Sequence, residues 1–327
     1  MNPWEKLKKP MLVKEIEDAV FKRVAAAASS ISYSKSPIYT AKKREIARIN
    51  TFVKSLTEYI NRCFEVAKAY YSAPEFYKAL VSLYFSEEKI SENYRRLRGI
   101  LRVVGELSSQ YISQIKYSSD DHEMSIIRKE ALGRLSSIIK RRRDVIEFFR
   151  ELYIFAHKLP SISFDYPLIV VAGPPNVGKS SLVRLISTAK PEVAEYPFTT
   201  KMISLGHFEI NGNIIQIMDT PGLLDRPMDE RNEIEKQAIL ALNLVADSVI
   251  YMFDPSPFRY YPIDIQLKIL SDIERYFKKL KVIKVVNKID IKNVDIPKDL
   301  NDVIEISALT GQGIDELIKK IKEVLKL

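Results

Sequence analysis

Two hydrophobic periods divide this chain. In the first half apolar residues return every third or fourth position, and Ile126, Ile127, Leu132, Leu135, Ile138, Ile139, Val145, Phe148, Phe149 and Leu152 trace one stripe of a helix. Before Leu159 glycine occurs only at Gly99, Gly105 and Gly133, and no proline lies between Pro74 and Pro160. A segment so poor in breakers forms long helices. They are predicted near Glu15 to Ala28, Thr40 to Tyr71, Glu75 to Phe85, Glu87 to Tyr117 and Asp120 to Lys158. Breaks are expected at Ser34 to Pro37, Ser72 to Pro74, Ser86 and Ser118–Ser119, and the buried stripes call for an all-α helical bundle.

The second half changes period. Short β-branched runs predict strands at Leu168 to Ala172, Ile203 to Ile210, Ile214 to Met218, Ser248 to Phe253, Val282 to Val286 and Val303 to Ile306. Helical patterns alternate with them near Lys179 to Ser187, Glu230 to Val245, Ile263 to Leu280 and Ile314 to Leu325. This alternation predicts a doubly wound α/β domain with a mostly parallel sheet and ligands at the carboxyl ends of its strands. Pro160 stops the preceding helix shortly before the first strand. The expected division is therefore residues 1–160 as bundle and 161–327 as α/β domain.

Charge adds a second asymmetry. Met1 to Pro160 carries 30 Lys+Arg against 19 Asp+Glu, whereas Ser161 to Leu327 carries 21 against 23. The excess cations form three clusters on different predicted helices: Lys42–Lys43–Arg44 with Arg48, Arg95–Arg96 with Arg98 and Arg102, and Lys140 to Arg143. One such cluster is an ordinary solvated face; three in one net-basic bundle point to a polyanion such as RNA or an anionic membrane surface. The single cysteine, Cys63, cannot form an internal disulfide, and three scattered histidines make no metal-ligand cluster. Apolar runs are too short to span a membrane, and the charged start is unlike a signal peptide, so a cytoplasmic protein is expected.

The candidate chemistry lies at the strand ends. After the run Leu168 to Ala172 come Gly173, Pro174, Pro175, Asn176, Val177, Gly178, Lys179, Ser180 and Ser181, with the spacing of a phosphate-binding loop that opens a helix. Its amides would close round phosphates at a helix N-terminus, Lys179 would reach the β- and γ-phosphates, and Ser180 would hold Mg²⁺. Asp219–Thr220–Pro221–Gly222 follows the strand Ile214 to Met218, which places Asp219 to bind Mg²⁺ and the Gly222 N–H to meet the γ-phosphate.

Asn287–Lys288–Ile289–Asp290 follows another strand and is the base-reading candidate. Guanine offers two adjacent donors that one carboxylate accepts together, and adenine does not, so Asp290 selects guanine. Asn287 would tie this loop to the phosphate loop, and the Lys288 stem would cover the base. Ser307–Ala308–Leu309, after the last strand, is placed to give a backbone N–H to the guanine O6. Tyr196–Pro197–Phe198–Thr199–Thr200 stands where a first switch is expected, with Thr199 and Thr200 both able to ligate Mg²⁺.

These motifs resemble the Obg-related GTPases. Arg231–Asn232 with Ile234–Glu235, and Ala131 to Arg134 with Ile138 to Arg141, resemble within that group the nucleolar GTP-binding protein (Nog) family. The resemblance implies an N-terminal helical domain before a GTPase domain, GTP or GDP with Mg²⁺ as ligands, and a role in assembling the large ribosomal subunit. Its implied partners are ribosomal RNA, the large subunit or its precursor, and other assembly factors. It favours Thr200 as the Mg²⁺ ligand and suggests a short, archaeal-type form. Lys179, Thr200, Gly222 and Asn176 are then the expected catalytic residues.

Two departures bear on rate. Leu223 stands where Ras-type GTPases place the glutamine that orients water, so unaided hydrolysis is expected to be slow. Asn176 resembles GTPases in which this side chain helps hold K⁺; a loop hydrogen bond is its other reading. The alternative functions are a GTP-dependent protein-binding switch without RNA, and a membrane-associated GTPase with a helical stalk.

Overall fold

The computed structural model describes residues 1–27, 31, 36–197, 202–292, 296 and 300–327. They form two compact units. One comprises Pro3–Ala73 with Tyr84–His157; the other comprises Met1–Asn2, Pro74–Leu83 and Lys158–Leu327.

The first unit is helical: α1 (Val13–Ala27), α2 (Pro37–Ser72), α4 (Glu87–Tyr117), α5 (Asp121–Arg141) and α6 (Arg143–His157), with α3 (Glu75–Ser82) belonging to the second unit. The Ser36 hydroxyl accepts from the Tyr39 N–H and Pro37 takes the first helical position, so α2 starts cleanly. It ends where Pro74 disfavours the helical conformation of Ala73. Phe52, Leu56 and Ile60 of α2, Ile90, Leu97 and Val104 of α4, and Leu135 and Ile139 of α5 are buried. Burial also covers Cys63 and pushes its thiol up to about 12, which makes it inert packing.

One predicted helix is two. The span expected from Asp120 to Lys158 breaks at Arg142, whose N–H bonds back to the Ile139 and Lys140 carbonyls. After Ile139 the apolar stripe next falls on Arg142 or Arg143, and both are exposed. A guanidinium is not buried without a partner, so the chain opens there and resumes with Val145 and Ile146 inward.

The second unit is built on a seven-stranded sheet in the order β2-β3-β4-β1-β5-β6-β7. Its strands are β1 (Leu168–Ala172), β2 (Glu192–Ala194), β3 (Ile203–Ile210), β4 (Asn213–Asp219), β5 (Ser248–Phe253), β6 (Lys281–Val286) and β7 (Val303–Glu305). From β4 to β7 neighbours are parallel; β3 is antiparallel to β4 and to β2. Asn211 and Gly212, both with positive φ, make the two-residue turn of the β3–β4 hairpin. Every residue of β1 and β5 is buried, as central strands covered on both faces require. Leu182 and Val183 of α7 (Lys179–Ile186) and Leu317 and Ile321 of α10 (Ile314–Leu325) join Ile169, Val171, Ile250 and Met252 in one core.

Three details depart from the sequence expectation. The edge strand β2 was not predicted: it has three residues, two of them exposed, and so no readable alternation. The helix expected from Glu230 begins at Glu233 (α8, Glu233–Ala241), because Asn232 and Glu235 form a reciprocal capping box. α9 (Ile263–Tyr276) ends before Phe277 rather than at Leu280.

The helix α3 counts with the bundle by sequence position and with the sheet unit by packing. The Tyr77 hydroxyl donates to the Pro160 carbonyl at 2.8 Å and accepts from the Ile162 N–H at 3.2 Å. The Phe76 ring lies 6.5 Å from that of Tyr196.

Candidate functional site

The phosphate loop is a backbone cradle that only these residues permit. Gly173 has φ 135°, and a Cβ there would stand 2.4 Å from the Met252 carbonyl oxygen on β5. At Gly178, with φ 105°, a Cβ would meet the Asn287 side-chain nitrogen at 2.3 Å. Asn176 also takes positive φ, and its exposed side chain borders the cavity in front of the loop. α7 begins at Lys179, and Gly178, Lys179, Ser180 and Ser181 line that cavity, so a helix N-terminus borders it, which is an environment that suits an anion. The buried Lys179 ammonium donates to the Gly173 carbonyl at 2.7 Å and to the Pro174 carbonyl at 2.8 Å.

Asp219 ends β4 beside this cradle, and the Ser180 hydroxyl donates to its carboxylate. Two hard oxygens are thus brought together, a donor set that suits Mg²⁺. Thr220 holds the next turn by donating to the Val171 carbonyl at 2.8 Å, and the Gly173 N–H donates to the Leu224 carbonyl at 2.9 Å. Leu223 and Leu224 are buried, so neither presents a polar group to the cavity.

Gly222 has φ 84°, and its N–H donates to Asp225 Oδ2 at 2.9 Å. Arg231 donates to the Gly222 carbonyl at 3.1 Å and to Asp225 Oδ1 at 3.2 Å. The Arg231 side chain is only 1% exposed; burial pulls its pKa below the usual guanidinium range, against the opposing pull of Asp225.

The base-reading candidates sit across the ends of β5, β6 and β7. Asn287 is buried, donates through its side-chain nitrogen to the Val177 carbonyl at 2.7 Å, and accepts the Ala308 N–H at 2.8 Å. One amide therefore joins the phosphate loop, the loop after β6 and the loop after β7. Lys288 has φ 68°, and its ammonium pairs with the fully buried Asp254 at 2.5 Å, which aims the lysine stem. Asp290 stands exposed at the loop end. In the last loop the Ser307 N–H donates to the Gln312 carbonyl and Ser307 Oγ accepts from the Thr310 N–H, while Leu309 is 84% exposed.

Tyr196 of the expected first switch is buried and donates to the Ala238 carbonyl of α8 at 2.9 Å. Phe198, Thr199 and Thr200 lie outside the described residues. The structure brings Gly173 to Ser181, Asp219, Gly222, Asn287 and Ala308 to one end of the sheet. Sequence reasoning missed Asp225 and Asp254. An acidic residue three places after a glycine, or just after a strand, carries no signal until its partners Gly222 and Lys288 are in place.

Comparison with known proteins gives the family. Residues 4–163 match the model of the NOG1 N-terminal helical domain, and residues 168–288 match that of the 50S ribosome-binding GTPase. An uncharacterized protein of Methanocaldococcus jannaschii is 30% identical over 291 residues, covering 89% of this chain and 81% of its own length. Nucleolar GTP-binding protein 1 of Drosophila melanogaster is 30% identical over 279 residues, covering 83% of this chain and 43% of the fly protein. Among solved structures, a nucleolar GTP-binding protein 1 of Plasmodium falciparum aligns with 32% identity and a TM-score of 0.45, over 51% of this chain and 90% of that one. The chain spans less than half the length of the fly relative and about four fifths of the archaeal one. With a Nog helical domain leading into a P-loop GTPase domain, this chain belongs to the nucleolar GTP-binding protein (Nog) family.

Proposed function

We propose that this protein binds GTP and GDP, hydrolyses GTP slowly, and acts as a nucleotide-controlled switch in assembly of the large ribosomal subunit in the cytoplasm. The observation that carries the nucleotide reading is the Asn287 amide. By bonding both the Val177 carbonyl and the Ala308 N–H it fixes the base loop against the phosphate loop, and Asp290 follows it at the spacing that suits guanine. Lys179 and the loop amides would hold the phosphates. Ser180 and Asp219, with Thr200, would hold Mg²⁺, which when bound neutralises charge on the β- and γ-phosphate oxygens. Asn176 would take the K⁺-holding role, and Leu223 leaves the water without an orienting group.

The RNA reading rests on the bundle. Arg96, Arg102, Arg141 and Arg142 line a cavity of about 680 Å³, so the cationic clusters of α4 and α5 face one space. Arg95 and Arg98 border a neighbouring hollow with Arg102. Internal pairs use part of the charge, since Arg96 bonds Asp144 and Arg143 bonds Glu147 at 2.6 Å. Arg141 and Arg142, which make no ion pair among the described residues, and Arg102, whose Glu106 partner stands 3.8 Å away, are the better phosphate ligands.

Co-sedimentation of the full chain with large ribosomal subunits, in GDP and in a non-hydrolysable GTP analogue, tests the reading. Nucleotide-dependent association that falls with salt is expected. Nucleotide binding without ribosome or RNA association would instead favour a protein-binding switch. Among the described residues no helix is long and apolar enough to cross a membrane.

A further inference from the structure

The loop after β4 contains its own anion. Gly222 N–H is the amide that, on the function proposed above, meets the γ-phosphate; here it is taken by the Asp225 carboxylate at 2.9 Å. Asp225 also lines the phosphate cavity, together with Gly178, Lys179, Ser180 and Pro221. The carboxylate is not a loose side chain. Arg231 grips its other oxygen at 3.2 Å and the Gly222 carbonyl at 3.1 Å, so one guanidinium clamps both ends of the Gly222–Asp225 contact. The Arg231 Nε is buried without an acceptor among the described residues, and the neighbouring Arg226 has a separate partner in Glu235. Asp225 is thus the carboxylate that balances the buried Arg231.

One N–H cannot donate fully to two anions, and two negative groups brought together in a partly buried site repel strongly. We propose that Asp225 is a built-in competitor of the γ-phosphate, a residue that sets the preference between GDP and GTP. GDP leaves the Asp225–Gly222 contact intact. GTP must displace the carboxylate, which breaks the clamp and frees Arg231 to move. Because Arg231 immediately precedes Asn232, the cap of α8, and the Ala238 carbonyl of α8 holds the Tyr196 hydroxyl, the disturbance passes toward the first switch segment.

The test is the ratio of affinities for GDP and for a non-hydrolysable GTP analogue, measured by calorimetry on the full chain. Asp225→Asn keeps the size of the side chain and removes its charge. It is expected to raise affinity for the GTP analogue relative to GDP by about tenfold, within the ordinary range of coupling between two sites. A second variant, Asp225→Ala with Arg231→Met, removes the buried pair as a unit, which proteins tolerate better than loss of one partner. It should shift the ratio in the same direction, so a folding defect of the single variant leaves the question answerable. A merely structural role for Asp225 would change both affinities by the same factor, and that result, or a fall in the ratio, overturns the proposal. If the unaltered chain binds no guanine nucleotide, the proposal and the function it rests on fail together; if it binds both and the ratio stays fixed, the proposal alone fails.

Discussion

The two units carry their polar chemistry in opposite ways. In the sheet unit each decisive contact has at least one buried member and fixed partners: Asn287 with Val177 and Ala308, Lys288 with Asp254, Arg231 with Asp225. In the helical unit the cations are mostly exposed, and several of them, Arg95, Arg98, Arg102, Arg141 and Arg142, line open hollows. A buried pair concentrates its effect, because removing one member leaves the other unsatisfied at a cost of about 1–3 kcal/mol. Exposed cations spread theirs, each adding one weak phosphate contact to a sum. Specificity in the sheet unit should therefore fail at single residues, and affinity in the helical unit should erode by degrees.

The sharpest way to break this contrast is at Asp290. Asp290→Asn should lower GTP affinity by about a thousandfold, as a site built to pair two donors rejects a mismatch, while improving binding of xanthosine triphosphate, whose 2-oxo group accepts from an amide. Competition titrations with ATP, GTP and the xanthine nucleotide check it; equal affinity of the unaltered chain for ATP and GTP would remove the base assignment. Next comes Asn287→Ala, which strands the Val177 carbonyl and the Ala308 N–H. GDP affinity should fall by about a hundredfold together with a loss of thermal stability, from two buried groups left without partners.

On the helical side, Arg102→Ala, Arg141→Ala and Arg142→Ala together should flatten the plot of log affinity for ribosomal RNA against log salt by about 2, at roughly 0.7 to 0.9 per lost contact. Nucleotide affinity should hold. Circular dichroism guards the comparison against unfolding, and an unchanged slope would make the bundle an ordinary solvated surface. The smallest effect is expected at Asn176: GTP turnover on the order of one per hour should rise a few-fold in K⁺ over Na⁺ at equal ionic strength, and Asn176→Ala should abolish the difference. Identical rates in the two salts would leave Asn176 as a loop residue only.

How much of this could be read from the sequence follows the same line. Six of the seven strands were legible because β-branched runs between turns have a period of their own, and the phosphate loop, Asp219 and the Asn287 loop were legible because each follows such a run directly. The cap at Asn232 was legible in principle, since an asparagine three residues before Glu235 is a capping-box spacing; the acidic run just before it obscured the start. Other features were not legible locally. The break at Arg142 involves neither glycine nor proline. The placement of α3 depends on Tyr77 reaching Pro160. Asp225 and Asp254 acquire meaning only from partners brought to them by the fold, and residues at the phosphate pocket that act through a neighbour's amide leave no motif.

The placement of α3 also has a kinetic consequence. Its partners Pro160, Tyr196 and the α8 region are made about 80 to 160 residues after it, which at ribosomal rates is on the order of ten seconds. During that interval Tyr77, Leu80 and Val81, all buried in the finished protein, have no permanent place, while the helices on either side can already pair. The nascent chain therefore carries these apolar side chains before their native partners exist, and the second unit is complete only once α3 docks on them. Cutting the gene at the junction near Pro160 would leave each product with the same defect, one carrying a helix without a home and the other a home without its helix.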